Sequence, residues 1–338
     1  SVSCWGENVY GQLGDGTTTD RSTPTQTSSL GTDRTAVAIG TGNYHTCALL
    51  DDASVSCWGY NLYGQLGDGT TTDRSTPTQT SSLGTDRTAV AISATYRYTC
   101  AILDDGSVSC WGRNDSGQLG DGTTTDRSTP TQTSSLGTDR TAVAIATGYL
   151  HTCAILDDGS VSCWGYNNKG QLGDGSFTNR NTPTQTSSLG TDRTAVAIAT
   201  GGYHTCAILD DGSVSCWGRN IYGRLGDGTT TTRNTPTQTS SLGTDRTAAL
   251  DSTYLPGGGG TSQTACAAGT FQASTGQSSC NVADAGYYVD STTQTSQTAC
   301  AAGTYQSTTG QSSCTDASAG YYVGSTGQSS QTACAAGT

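Results

Sequence analysis

Residues Tyr44 to Gly59 read Tyr-His-Thr-Cys-Ala-Leu-Leu-Asp-Asp-Ala-Ser-Val-Ser-Cys-Trp-Gly. Two short β-prone runs flank an Asp-Asp-Ala turn, the pattern of a β-hairpin. With Asp51 and Asp52 at the corners of a type I turn and Ala53 in the left-handed position, Leu50 faces Ser54 and Cys47 faces Cys57. Other copies of the stretch place Gly106, Gly159 and Gly212 at that left-handed position, where the lack of a Cβ removes the penalty. Counting inward from a hydrogen-bonded closing pair, the 47/57 pair falls on a non-hydrogen-bonded site, where Cα atoms come closest and a cross-strand disulfide fits. The register therefore predicts Cys47–Cys57, Cys100–Cys110, Cys153–Cys163 and Cys206–Cys216.

Working outward, Cys-Trp-Gly recurs at Cys4, Cys57, Cys110, Cys163 and Cys216, a strict period of 53 residues. These define copies one to five. Each continues through Asn-x-x-Gly, a Gly-Gln-Leu-Gly-Asp-Gly run (Arg224 replaces Gln in copy five), a Thr-rich loop to a proline (Pro24, Pro77, Pro130, Pro183, Pro236), and Leu-Gly-Thr-Asp-Arg-Thr-Ala. Strands are expected at Val55 to Gly59, Thr78 to Ser82, Thr88 to Ile92 and Tyr98 to Leu103. Four strands make a blade, so the fold class is all-β, a β-propeller of four-stranded blades. Apolar positions are few in each period (Leu66, Val90, Ile92, Ile102, Val108, Trp111), so stability is expected from stacking between neighbours. Trp5, Trp58, Trp111, Trp164 and Trp217 are expected to be buried between blades.

The run Gly-x-x-His-Thr-Cys-Ala-Ile-Leu-Asp-Asp-Gly-Ser-Val-Ser-Cys-Trp-Gly-x-Asn-x-x-Gly-Gln-Leu-Gly-Asp-Gly, followed by the proline, resembles the regulator-of-chromosome-condensation repeat. The resemblance covers residues 1–250 and implies a propeller, commonly of seven blades. The cysteine pair is similar to that of secreted members. The founder's nucleotide-exchange activity maps onto no residue here, and a guanine-nucleotide exchange role ranks third among the functional readings.

Residues 251–262 read as a linker around Gly257 to Gly260. Residues 263–338 form a second repeat of period 34, with cysteines at 266, 280, 300, 314 and 334. Each unit resembles ephrin-receptor-like or tumour-necrosis-factor-receptor-like cysteine-rich modules, with Ala283 and Ala317 where further cysteines are expected. The resemblance implies Cys266–Cys280 and Cys300–Cys314, although five cysteines alone leave other pairings open. Such small units rely on disulfides in place of a core. Five Cys-Trp-Gly strands against four His-Thr-Cys-type strands leave Cys4 without a mate, and Cys334 opens a further unit. The expectation is an incomplete ring whose repeats continue at both ends; a head-to-tail link between Cys4 and Cys334 of successive subunits is the alternative.

A net charge of −12 with a single lysine, Lys169, disfavours a nucleic-acid partner, whose affinity would come from basic groups releasing counterions. Fourteen cysteines and no methionine point to an oxidising, extracellular or cell-surface location. No apolar run approaches membrane-spanning length. His45, His151 and His204 share one repeat position, but Tyr98 replaces them in copy two, so they are read as bonding a neighbouring blade in preference to a metal. Asp15, Asp51, Asp52, Asp68, Asp104 and Asp105 have the oxygen donors that suit Ca²⁺, yet their spacing reads first as turn formation. No set of residues supports catalysis.

The copies differ before and within the Asn-x-x-Gly turn and in the loop entering the His strand. There Tyr10, Tyr60, Tyr63, Tyr96, Arg97, Arg113, Tyr149, Tyr166, Arg219 and Tyr222 are the candidate contact residues. Asn114-Asp115-Ser116 is an N-glycosylation acceptor, and the Thr/Ser-rich loops could carry O-linked sugars. The first functional reading is a non-enzymatic structural or adhesive part of an extracellular fibre or matrix, partnered by itself, other extracellular proteins or glycans. The second is a secreted binding propeller that captures a specific protein through its variable loops.

Overall fold

The computed structural model describes residues 1–240, 270–271, 281–290 and 296–335, which fall into two compact units, Ser1–Ser262 and Gln263–Thr338. The first unit opens with β1 (Ser3–Gly6) paired antiparallel to β2 (Arg21–Gln26). Four antiparallel four-stranded blades follow. Blade one is β3 (Ala36–Thr41), β4 (His45–Leu50), β5 (Val55–Gly59) and β6 (Arg74–Gln79); blade two is β7 (Ala89–Ala94), β8 (Tyr98–Leu103), β9 (Val108–Gly112) and β10 (Arg127–Gln132). Blade three is β11 (Ala142–Thr147), β12 (His151–Leu156), β13 (Val161–Gly165) and β14 (Arg180–Gln185); blade four is β15 (Ala195–Thr200), β16 (His204–Leu209), β17 (Val214–Gly218) and β18 (Arg233–Gln238). Strands keep chain order within each blade, and each blade packs on the next through its first two strands. Among the described residues, no strand of blade one pairs with a strand of blade four.

The hairpin has the expected register. Leu50 N donates to Ser54 O at 2.9 Å, Ala53 takes a φ of 63°, and Cys47 pairs with Cys57. The four predicted propeller disulfides are present, with Cα separations of 4.0 to 4.1 Å.

In blades two to four the tryptophan lies over the disulfide of the preceding blade. Trp111 packs with Cys47, Cys57, Leu49 and Val55; Trp164 with Cys100 and Cys110; Trp217 with Cys153 and Cys163. Trp58 is equally buried, against Val2, Ala48 and Leu50. Trp5 corrects the expectation: it is 61% exposed, because among the described residues no strands precede β1 to cover it as β1 and Val2 cover Trp58.

Two further strand readings are corrected. The proline strand runs Arg74–Gln79, not from Thr78 to Ser82, and contains Pro77. Pro77 is tolerated because this is the outer edge strand and its register shifts between Cys57 and Gly59, where no ladder donor is needed. The inner strand runs Ala89–Ala94, and Val90 is not a packing residue: a bulge between Ala89 and Ala91 turns it outward, leaving it 51% exposed.

Gly67 is where the tryptophan rule constrains the sequence. It holds a φ of +72°, and a Cβ there would sit 2.7 Å from Trp111 Nε1. Gly67→Ala is expected to cost on the order of 3 kcal/mol in urea unfolding. Gly69→Ala, whose Cβ would meet nothing nearer than Ser81 Oγ at 3.6 Å, should cost only the left-handed strain of roughly 1 kcal/mol.

The second unit contains short two-stranded hairpins at the 34-residue period. β19 (Thr270–Phe271) pairs with β20 (Asn281–Val282), and β21 (Tyr287–Tyr288) with β22 (Thr298–Ala299). β23 (Thr304–Tyr305) pairs with β24 (Thr315–Asp316), and β25 (Tyr321–Tyr322) with β26 (Thr332–Ala333). Cys300 bonds Cys314, with Cα atoms 5.8 Å apart. Cys266, Cys280 and the linker at 251–262 lie outside the described residues. Among the described residues Cys4 and Cys334 have no disulfide partner.

Candidate binding face

β4 begins and β5 ends at one end of each blade, so the loop into the His strand and the Asn-x-x-Gly loop lie side by side there. A buried asparagine fixes the second loop. Asn61 Nδ2 donates to Asp68 Oδ1, Thr70 O and Thr72 O, while Asn61 Oδ1 accepts from Leu66 N at 2.9 Å. Gln65 Oε1 accepts from Tyr63 N at 3.0 Å. Asn8, Asn114, Asn167 and Asn220 are likewise fully buried and accept from the corresponding leucine N–H. The N-glycosylation reading of Asn114 is corrected on this ground: its Nδ2 is buried and donates to Asp121 and to the Thr123 and Thr125 carbonyls, leaving no room for a glycan on the folded chain.

On this frame the variable side chains meet in one belt. The Tyr10 ring lies 4.7 Å from Tyr60 and 5.3 Å from Tyr44, and Tyr60 lies 6.4 Å from Tyr63. The Arg97 guanidinium sits between Tyr63, at 4.9 Å, and Tyr96, at 4.6 Å, and its Nη1 donates to Tyr63 OH at 2.7 Å. Arg113 approaches the same two rings and pairs with Asp115. Tyr96 stacks on Tyr149 at 4.0 Å; Tyr149 leads to Tyr203 at 5.7 Å, and Tyr203 to Tyr166 and Arg219. The Tyr96 hydroxyl and then burial push the Tyr149 phenol up to about 12. Of the candidate contact residues only Tyr222 stands apart; it is 78% exposed and lies under Arg224 at 5.3 Å. Tyr44 and Tyr203, in the same variable loops, join the belt although the sequence candidates do not include them.

The histidines are framework. Thr99 Oγ1 donates to Gln65 O at 3.0 Å, so His45 Nε2–H donates to Thr99 Oγ1 of the next blade at 2.9 Å, and His45 Nδ1 carries no proton and has no partner. His151 repeats this with Thr205. Burial lowers both imidazoles to about 3. Tyr98 reaches the next blade instead through its hydroxyl, which donates to His151 O at 2.5 Å. The aspartates weighed for Ca²⁺ are occupied by protein donors: Asp15 by Thr17 and Arg21, Asp68 by Thr70 and Arg74, Asp52 by Ser54 and Arg34, Asp105 by Ser107 and Arg87. Asp51 and Asp104 also pair with Arg34 and Arg87.

The ultraviolet-B receptor UVR8 of Arabidopsis thaliana is 32% identical over 244 residues, covering 72% of this chain and 54% of that protein. The human E3 ubiquitin-protein ligase HERC2 is 33% identical over 204 residues, which is 60% of this chain but 4% of the ligase. The chain thus spans about half or less of these relatives. Among solved structures, human WBSCR16 superposes with a TM-score of 0.61 at 23% identity, covering 70% of this chain and 62% of that one. Yeast RCC1 (Prp20), solved bound to Kap60, gives 0.60 at 22% identity, covering 72% and 58%. The RCC1-like domain matches residues 1–322, so the chain belongs to the RCC1-like domain family.

Proposed function

We propose that this propeller is a non-enzymatic, protein-binding module of an oxidising, extracellular compartment, and that its partner docks on the tyrosine and arginine belt. The observation that carries the reading is the continuity of the belt from Tyr10 to Arg219, at the positions where otherwise near-identical copies differ. Tyrosine and arginine are the side chains that concentrate binding energy in protein interfaces. A related propeller, yeast RCC1, has been solved bound to a protein, Kap60. Cross-strand disulfides in every blade support the oxidising location, and the 34-residue repeats with Cys300–Cys314 are read as a stapled stalk. The fibre or matrix role rests on the near-identity of the copies, and the belt is where that identity fails.

The test is selection against a displayed library of secreted proteins with the wild type and the Tyr63→Ala/Tyr96→Ala variant. A genuine partner should lose at least thirtyfold in affinity, about 2 kcal/mol, with the variant. Arg34→Ala, at the other end of the blade, should leave binding unchanged. Partners that bind the tyrosine variant as tightly as the wild type would overturn the assignment.

A further inference from the structure

Charge is distributed unevenly along the belt. In copies one to three the backbone N–H of the loop asparagine donates to a carboxylate: Asn8 to Asp20 at 2.8 Å, Asn61 to Asp73 at 2.7 Å and Asn114 to Asp126 at 2.7 Å. In copies four and five the same N–H donates to Asn179 Oδ1 at 2.7 Å and to Thr232 Oγ1 at 3.4 Å. The hydrogen bond is kept and the negative charge is gone.

The same two copies add cations to those of copies two and three, where Arg97 lies between tyrosine rings and Arg113 is paired with Asp115. Arg219 stands where copy one has Glu7, and Lys169 where copies one and two have Tyr10 and Tyr63. Arg224 replaces the glutamine whose Oε1 accepts a backbone N–H in each of the other copies. A guanidinium has no acceptor, so copy five gives up that bond without a structural return, as functional positions do. Framework arginines such as Arg21, Arg74 and Arg180 are all ion-paired, whereas Lys169, Arg219 and Arg224 have no carboxylate partner among the described residues.

We propose that Tyr166, Lys169, Tyr203, Arg219, Tyr222 and Arg224 form a subsite for an acidic segment of the partner protein, a proposal that rests on the belt being the docking face. Arg219 lies 5.7 Å from the Tyr203 ring and Arg224 5.3 Å from Tyr222, so each guanidinium has one face against a phenol. What remains free is the in-plane N–H edge, whose geometry matches a carboxylate. In a chain of net charge −12, three cations without carboxylate partners among the described residues, on two loops that Tyr203 joins by meeting both Tyr166 and Arg219, mark where an acidic segment can approach.

Fluorescence anisotropy with a short glutamate-rich peptide tests this, with a lysine-rich and a Gly/Ser peptide of equal length as controls and heparin as the glycan probe. The glutamate peptide should bind alone among the three peptides, weakening as salt rises. Arg219→Glu and Arg224→Glu should each raise its Kd about tenfold. Arg224→Gln restores the residue of the other copies, so it should melt no lower than wild type and still lose severalfold in affinity. Asp73→Asn, which copies Asn179 in the acidic half, should leave the Kd within about twofold of wild type. Failure of the glutamate peptide to bind, binding that Arg224→Gln leaves untouched, or binding of heparin alone would each overturn the subsite. If a selected partner is lost with Tyr63→Ala/Tyr96→Ala but kept with Arg219→Glu and Arg224→Glu, the docking face stands and the acidic subsite falls.

Discussion

Replacing Trp111 with alanine is expected to destabilise the propeller by about 4 kcal/mol, and to open the disulfide of the blade before it. The first effect follows from removing a fully buried indole that fills the space between blades one and two. The second follows from what it covers. Trp111 packs on Cys47 and Cys57, whereas Cys100 and Cys110, in its own blade, lie beneath Trp164. Brief treatment with dithiothreitol, then alkylation and peptide mass spectrometry, should therefore show Cys47 and Cys57 labelled well before Cys100 and Cys110. Urea unfolding gives the energetic term. Labelling of Cys100 and Cys110 first, or a loss below about 1 kcal/mol, would mean that the indoles do not couple the blades. Trp5→Ala, at a residue 61% exposed, should change stability by less than about 0.5 kcal/mol.

The contrast between Trp5 and Trp111 shows which features a single sequence discloses. The hairpin register was readable because the turn residues, the alternation of the strands and the cysteine pair all sit within Tyr44 to Gly59 and agree with one another. The burial of a tryptophan belongs to the preceding blade as much as to its own residue, and the repeat pattern around Trp5 is the same as around Trp58. Asn114 failed for a related reason. A three-residue acceptor motif carries no information about Asp121 or the Thr125 carbonyl, which take up its amide from the far side of the loop. Val90 misled because a bulge displaces one residue without altering the apolar composition of the strand. The belt was half legible: differences between copies marked the loops, but its continuity depends on distances across blades, such as Tyr96 to Tyr149, that no repeat period encodes. The charge asymmetry was less legible still, since Asn179 and Thr232 gain meaning only once they are seen to make the bonds of Asp20, Asp73 and Asp126.

Acidification should weaken this propeller at higher pH than protonation of its carboxylates does. His45 and His151 are fully buried, and burial lowers each imidazole from 6.5 to about 3, with the His204 charge adding at His151. The folded chain holds them neutral while the unfolded chain takes up protons below 6.5. Their contribution is therefore complete above that value and is lost progressively as pH falls from 6.5 toward 3. Each histidine contributes about 1.4 kcal/mol per pH unit inside the window, so the pair should remove roughly 4 kcal/mol between pH 6.5 and about 5. The carboxylates act lower. Thr17 and Arg21 outweigh the upward push of burial and hold Asp15 at about 2, so its contribution disappears only between 3.8 and 2. Copy two supplies the diagnostic variant, because Tyr98 occupies the histidine position and spans to the His151 and Gly148 carbonyls. His151→Tyr would meet His204 O and Gly201 O in the same arrangement, and it removes one of three imidazoles that burial lowers, His204 being the third. Urea midpoints measured from pH 7 to about 5 should fall less steeply for His151→Tyr than for the wild type. An unchanged slope in the variant would mean that the acid sensitivity lies elsewhere than in the buried histidines.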